Sequence, residues 1–217
     1  MSLDPAPPEV EGSRPYDGSG RRERARRTHD AVLERARARF LEHGYAGTTI
    51  ESVAGDVGIS TATIYKTYGG KPGLVRALCE RALAGEGTVP AEERSDALRT
   101  SAQDARALIE GWGRLLAEVS PRVSPILLLL REAAAHDPVA DALHRELDGT
   151  RLARMSANAR HLVDRGHLRA GVGFRDARDV LWLYSSPDIY DLLVRRRGWS
   201  VGRYARFVTT AMIGALV

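Results

Sequence analysis

A short stretch after Gly58 contains side chains that are suited to contacts with nucleic-acid bases. Apart from Ile64, it consists of small or polar residues, namely Thr61, Ala62, Thr63, Tyr65 and Lys66. Small side chains allow a helix to approach the floor of the major groove, and threonine offers a hydroxyl to base edges or a methyl to thymine. A helix buried on all sides would not have this composition. The stretch therefore predicts a short helix with one apolar anchor and a DNA-facing surface.

The residues that could support catalysis form no recognisable set. The six histidines, at 29, 43, 136, 144, 161 and 167, have no HExxH spacing, and the pair Ser185-Ser186 lacks the glycines of a nucleophile elbow. Cys79 is the only cysteine, so it has no intrachain disulfide partner and cannot form a thiolate metal cluster within one chain. We expect no enzymatic activity, no metal and no cofactor.

A capped apolar helix precedes the polar stretch. Thr48 is predicted to begin it, with Glu51 completing a capping box, and Gly58 to end it. Ser60 is then a new N-cap for the short helix, which runs to Tyr65 or Lys66. The inward positions of the whole segment are Ile50, Val53, Ala54, Val57, Ile59 and Ile64. Two helices joined by a three-residue turn predict a helix-turn-helix over residues 48–68.

Helices are also predicted on both sides of this motif. The first begins near Arg24, ends at Gly44 and buries Val32, Leu33, Ala36 and Phe40. The fourth begins at Lys71-Pro72 and runs to about Ala84, with Leu74, Val75, Leu78 and Cys79 facing inward.

With these residues in place, the sequence from about 24 to 80 resembles the tetracycline-repressor (TetR) family of regulators. The resemblance rests on the run FLEHGYAGTTIESVAGDVGISTATIYKTYGGKPGLV. It implies that Thr48 or Thr49, Tyr65 and Lys71 bind phosphates, and that Thr61, Ala62, Thr63 and Lys66 face bases; Ser60 completes the predicted DNA-binding set. Arg39 stands where relatives often have leucine, which suggests a solvated edge of the first helix. Thr67 and Tyr68 stand where many relatives have histidine and phenylalanine.

The remainder of the chain is predicted to be helical too, which makes the protein all-α. No stretch has the sustained alternation of a half-buried strand. Residues Gly85 to Glu93 are predicted to form a loop, and further helices are expected at 95–119, 124–136, 138–165, 174–185, 187–197 and 200–216. We predict three parts, namely a disordered tail at 1–20, a DNA-binding domain at 21–70 and a helical effector-binding and dimerisation domain at 71–217.

Charge is concentrated in the N-terminal third. The formal net charge is +4, but residues 21–81 hold twelve Arg and Lys against seven Asp and Glu, and the only lysines are Lys66 and Lys71. A cationic segment suits a polyanionic partner. Arg21 to Arg27 is either an arm that reaches phosphates or a minor groove, or a solvated first helical turn.

The sequence has no signal-peptide core or membrane-length apolar run, and we expect a cytosolic protein.

The resemblance further implies a homodimer that is released from a palindromic operator by a small-molecule effector. The stretches 174–195 and 200–216 are candidates for the dimer interface, although both could instead fill the core of one chain. The predicted walls of an effector pocket are Trp112, Leu115, Leu128, Arg131, Glu132, His136, Leu143, Trp182 and Tyr184. Plain core packing is the alternative for these residues. The alternative function is a constitutive DNA-binding or architectural protein, which needs no cavity.

Overall fold

The computed structural model describes residues 19–85, 87 and 89–217, and every regular element within them is helical. The predicted all-α class is therefore confirmed. The elements are α1 (Ser19–Gly47), α2 (Ile50–Val57), α3 (Thr61–Tyr68), α4 (Lys71–Ala84), α5 (Ala91–Ser101), α6 (Ala105–Ala134), α7 (Pro138–Asp164), α8 (Phe174–Tyr184), α9 (Pro187–Tyr190), a π-helical segment (Asp191–Arg196) and α10 (Val201–Leu216). Residues 1–18 of the predicted tail lie outside the described residues, whereas Ser19 and Gly20 begin α1.

The first helix changes direction where the sequence predicts its end. Gly44 has φ 72° and ψ 176°, a conformation that interrupts α1 and that glycine adopts without a steric penalty. The predicted inward residues of this helix, Val32, Leu33, Ala36 and Phe40, are all buried. The break redirects the chain toward α2, so that α1, α2 and α3 enclose one apolar centre.

The middle of the chain differs from the prediction. One continuous α6 replaces the expected break between 119 and 124, although it contains Pro121 and Pro125. A proline inside a helix removes a hydrogen bond, but packing of α6 against α1, α4, α7 and α10 compensates for that loss. A separate α5 begins inside the predicted loop. The break between them comes at Asp104, whose carboxylate accepts a hydrogen bond from the backbone N–H of Ala107 at 2.8 Å.

The predicted start of α7 is confirmed. Asp137 is its N-cap and accepts hydrogen bonds from the backbone N–H groups of Val139 and Ala140 at 2.8 and 3.1 Å, and Pro138 occupies the first turn. None of the described helices is long and apolar enough to cross a membrane.

Two buried clusters organise the molecule around α6. The first joins the α1–α4 unit to α6 and α7, because Leu74, Val75 and Leu78 of α4 share it with Ile126 and Leu130 of α6. The second cluster joins α6, α7, α8 and α10. Helix α6 spans about 45 Å at the usual rise per residue and connects the two clusters. The N-terminal helices are therefore continuous in packing with the rest of the chain.

A close approach between α3 and α4 requires Gly73. A Cβ placed on this residue would lie 1.5 Å from the carbonyl oxygen of Tyr68, which is backbone and cannot rotate away. Gly55, on the exposed side of α2, is the opposite case, since a Cβ there would have no neighbour within 4 Å.

We predict that Gly73→Ala destabilises the protein whereas Gly55→Ala stabilises it. Overpacking at Gly73 should lower the free energy of unfolding by about 2 kcal/mol or more. Alanine at Gly55 should raise it by about 0.5–1 kcal/mol, because glycine is a weak helix former. Urea unfolding monitored by circular dichroism measures both changes. Equal stability of the two variants would contradict the close α3–α4 contact.

Candidate nucleic-acid interface and ligand cavity

The N-terminus of α2 is capped one residue later than predicted. Thr49 is the N-cap: its hydroxyl accepts from the backbone N–H of Ser52 at 3.1 Å, and the backbone N–H of Thr49 donates to Ser52 Oγ at 3.3 Å. The predicted capping box of Thr48 and Glu51 is therefore wrong. Thr48 is 1% exposed and its hydroxyl donates to the carbonyl of Gly44 at 2.9 Å. Its side chain stabilises the break in α1, and Thr49 is the threonine that reaches the surface.

The turn between α2 and α3 has the predicted form. Gly58 adopts the left-handed conformation that ends α2, with φ 73° and ψ 35°. Ser60 caps α3 by accepting from the backbone N–H of Thr63 at 3.2 Å, and the hydroxyls of Ser60 and Thr63 lie 2.9 Å apart. Only Ile64 of α3 is buried. The outer face of α3 is formed by Thr61, which is partly buried, and by the exposed residues Ala62, Thr63, Tyr65 and Lys66.

Two predicted phosphate-binding residues meet at the start of α4. The ring of Tyr65 lies against Gly70, where a Cβ would come within 3.3 Å of it, and the side chain of Tyr65 is 54% exposed. Lys71 follows Gly70 directly. Its Nζ donates to the carbonyl of Tyr45 at 2.9 Å and lies 4.5 Å from the centre of the Tyr45 ring. Since one of its three N–H groups makes that bond, Lys71 both anchors α4 to the end of α1 and retains donors.

Arg39 is not on a freely solvated edge, contrary to the expectation from its position. It forms two hydrogen bonds with Asp56 of α2, from Nε at 2.6 Å and from a terminal nitrogen at 2.7 Å. This hydrogen-bonded pair lowers the pKa of the Asp56 carboxyl and raises that of the guanidinium. The pair fixes α2 to α1 from the outside and supports the apolar contacts between them.

The arginine-rich segment 21–27 is helical. It forms the first turns of α1. These turns lie near the end of α3, because His29 of α1 contacts the ring of Tyr68 with 5.5 Å between the ring centres. Glu23 pairs with Arg26 and Arg27 at 2.9 and 3.7 Å. Of the two alternatives, the structure has a helical turn rather than an extended arm.

A cavity of about 190 Å³ lies between α4, α5, α6 and α7, and residues of α8, α9 and α10 complete its lining. Its walls are mainly apolar and its α6 face consists of Trp112, Leu115, Leu116, Val119, Ser120, Val123, Ser124 and Leu127. Cys79 and Leu83 of α4 also line it. Burial raises the pKa of the Cys79 thiol to about 12, so this group is a neutral, unreactive part of the wall.

The predicted wall residues fall into separate places. Trp112 and Leu115 line the cavity. Leu128, Arg131 and Trp182 line an adjacent groove, and Glu132 lines a third depression with Arg131 and Asp191. The three others line none of these: His136 is exposed at the end of α6, Leu143 is buried in the first cluster, and Tyr184 packs beside Phe207.

Sequence reasoning missed the polar wall that α7 contributes. Leu147, Arg151, Arg154 and Asn158 recur at helical spacing and all line the cavity. Polar side chains on the inward face of a long helix were the available signal, because an ordinary core would exclude them. Ser95 of α5 completes this wall opposite Asn158.

An apolar surface lies on the outside of α8 and α10. Leu183 and Phe207 are 46% and 44% exposed, respectively. Phe207 of α10 contacts the ring of Tyr184 in α8 and the ring of Trp199, so the two helices meet beside this surface. The opposite sides of both helices fill the core, where Ala177, Leu181, Tyr204, Val208, Met212 and Leu216 are buried.

This geometry is that of a helix-turn-helix DNA-binding domain built onto a helical domain with a cavity. Residues 32–78 match the family model described as bacterial regulatory proteins of the tetR family. This part of the chain is therefore similar to the DNA-binding domain of the tetR family of bacterial regulatory proteins. No curated protein matches the sequence.

Solved structures of regulators share the fold over most of the chain. The SmeT–triclosan complex is 22% identical with a TM-score of 0.67, and the alignment covers 88% of this chain and 91% of SmeT. The fatty acid degradation regulator FadR from Bacillus halodurans is 16% identical with a TM-score of 0.66, covering 87% and 96%. The TetR-family regulator PfmR from Thermus thermophilus is 18% identical with a TM-score of 0.59, covering 86% and 98%.

Proposed function

We propose that this protein is a homodimeric repressor in the cytosol that binds a palindromic operator through α3 and is released when a small molecule occupies the cavity. The observation that carries this proposal is the exposed, polar face of α3 on a domain whose fourth helix also lines the cavity. In this division residues 21–70 bind DNA, and residues 71–217 bind the effector and dimerise. An apolar cavity disfavours the alternative of a constitutive DNA-binding protein, which needs none.

The operator contacts are divided between two groups of residues. Ala62, Thr63 and Lys66 are exposed on α3 and, with Thr61, would face bases in the major groove. Thr49 at the start of α2, Tyr65 on α3 and Lys71 at the positive end of α4 would bind phosphates. Ser60 contributes through its cap of α3. Thr48 acts indirectly, because its buried hydroxyl supports the backbone that presents Thr49.

We predict that Tyr65→Ala combined with Lys66→Ala raises the Kd for a palindromic operator at least about thirtyfold, since each lost contact costs roughly 1–3 kcal/mol. The operator is obtained by selecting bound fragments from random DNA, and fluorescence anisotropy gives the Kd. Arg106→Ala, an exposed charge removed on α6, is the control and should leave the Kd unchanged. Wild-type affinity in the double variant would refute the assignment of α3.

The arginine-rich segment 21–27 at the start of α1 would add phosphate contacts beside those of Thr49, Tyr65 and Lys71. Arg22 and Arg24 are exposed and lie on the same part of α1 as His29, which contacts the end of α3. Neither forms an ion pair within the described residues. A rigid pair of arginines next to α3, the proposed reading helix, would release counterions when the domain binds DNA.

We predict that Arg22→Ala combined with Arg24→Ala makes the negative slope of log K against log salt concentration shallower by about 1.8, as expected for two lost phosphate contacts. Sequence preference should stay the same. Removing two exposed arginines of α6, Arg106 and Arg114, provides a control of equal charge. If both double variants have the wild-type slope, the arginine-rich segment makes no contact with DNA.

A two-fold dimer through α8 and α10 would place two copies of α3 in successive major grooves, about 34–36 Å apart. The exposed Leu183 of α8 and Phe207 of α10 support this interface, because large exposed apolar side chains are typical of subunit contacts.

We predict that Phe207→Glu converts the dimer into a monomer at micromolar concentration, because it introduces an unpaired charge at the centre of an apolar contact. Sedimentation velocity measures the change. Val139→Glu, at an apolar residue on α7 that is 56% exposed, is the matched control and should remain dimeric. Dimerisation through another surface would appear as an unaffected Phe207→Glu variant.

Coupling between the DNA-binding surface and the cavity would run along α4. Lys71 at its beginning lies in the proposed DNA surface, and Cys79 and Leu83 near its end line the cavity. A ligand that fits the cavity only when α4 is displaced would favour a dimer with the wrong separation of its reading helices. Its effect on DNA affinity is limited by its differential affinity for the two arrangements.

A further inference from the structure

We propose that the effector is an uncharged, mostly apolar molecule of about one substituted aromatic ring, with a single hydrogen-bond acceptor that faces Asn158. This inference rests on the proposed function, since it identifies the chemical class of the molecule that would control DNA binding.

The size of the cavity sets the first limit. A volume of about 190 Å³ is somewhat larger than the roughly 150 Å³ that is known to accept benzene in an apolar protein cavity. The walls opposite α7 are leucine, valine and tryptophan side chains of α6, and Leu181 and Met212 complete them. A ring with small substituents fits both the volume and the chemistry of these walls.

The charged residues of the wall are already neutralised. Arg151 pairs with Asp148 at 2.8 Å, donates to the carbonyl of Trp182 at 2.5 Å and to Ser185 Oγ at 3.1 Å, and stacks on the Trp182 ring at 4.6 Å.

The second arginine of the wall is equally occupied. Arg154 pairs with Asp96, and its other terminal nitrogen lies 3.6 Å from Glu92. Asp96 also pairs with Arg99 at 2.7 Å. An ionised ligand would lose its hydration in the cavity without gaining an unpaired opposite charge, which disfavours carboxylates and ammonium ions.

Asn158 supplies the polar contact. It is the only asparagine of the sequence and is 3% exposed. Its Oδ1 accepts from Ser95 Oγ and from Arg99, both at 3.4 Å, and the arginine donor fixes the orientation of the amide. The Nδ2 group therefore retains its hydrogens for a ligand, and it has no hydrogen-bond acceptor among the described residues.

Trp112, another residue of the cavity wall, carries a second unsatisfied donor. Its indole N–H is buried without a partner in the described part of the chain, and the residue lines the wall that α6 contributes. Buried donors that lack an acceptor are costly, so a ligand carbonyl or ether oxygen in this region would be favoured.

The test compares three para-substituted toluenes of similar size on the full-length protein at neutral pH. They are methyl 4-methylbenzoate, which is neutral with a carbonyl acceptor, 4-methylbenzoate, which is an anion, and 4-ethyltoluene, which has no acceptor. Titration calorimetry measures their Kd, and anisotropy of the selected operator measures DNA release. We expect the ester to bind most tightly, with a Kd at least about tenfold below that of the anion, and the hydrocarbon to be intermediate.

Asn158→Leu keeps the approximate side-chain volume and removes the donor. In this variant the ester should lose its advantage over the hydrocarbon, while Ala157→Leu, on the exposed side of α7, should retain it. Tightest binding by the anion, or no binding of the three at millimolar concentration, overturns the proposed ligand class. That ranking is measured on the wild-type protein and does not depend on the folding of any variant. Failure of the proposed function is a separate outcome, because it would appear as absent operator binding without any ligand.

Discussion

Helix α4 packs against both halves of the chain, and the arrangement of the two sites depends on that contact. Its buried residues Leu74, Val75 and Leu78 join α1 and α3 on one side and α6 on the other. Gly73 allows α4 to cross the end of α3 at backbone distance. A DNA-binding domain connected only by a flexible linker would leave the separation of two reading helices undefined. In the proposed dimer, packing would make that separation a property of the whole molecule.

The local elements near the helix-turn-helix could be predicted because each depends on neighbouring residues. Gly44 ends the straight part of α1, Gly58 ends α2 and Ser60 caps α3, and these effects need no distant contact. The cap of α2 was misplaced by one residue because Thr48 and Thr49 are chemically alike. Tertiary packing buries the first and leaves the second exposed, which local sequence does not reveal.

The distribution of residues around the cavity could not be predicted, because it depends on how four helices meet. The predicted wall residues Leu128, Arg131 and Glu132 lie near the end of α6, yet the cavity lies further toward its middle. The predicted helices left a break between 119 and 124, whereas packing of α6 between its neighbours keeps this segment helical despite Pro121 and Pro125. The polar residues of α7 can be recognised as cavity wall only when the positions of α5 and α6 opposite them are known.

The scarcity of lysine gives the protein an unusual surface chemistry. Apart from the α-amino group, the full sequence contains two primary amines, and both lie at the proposed DNA surface. Lys71 is partly buried and hydrogen-bonded to the carbonyl of Tyr45, whereas Lys66 is exposed on α3. Of the two lysines, an amine-specific acylating reagent would therefore modify Lys66 first and remove the positive charge of α3, while the arginines elsewhere keep theirs. Such a reagent offers a single-site chemical label for the reading helix without any change to the sequence.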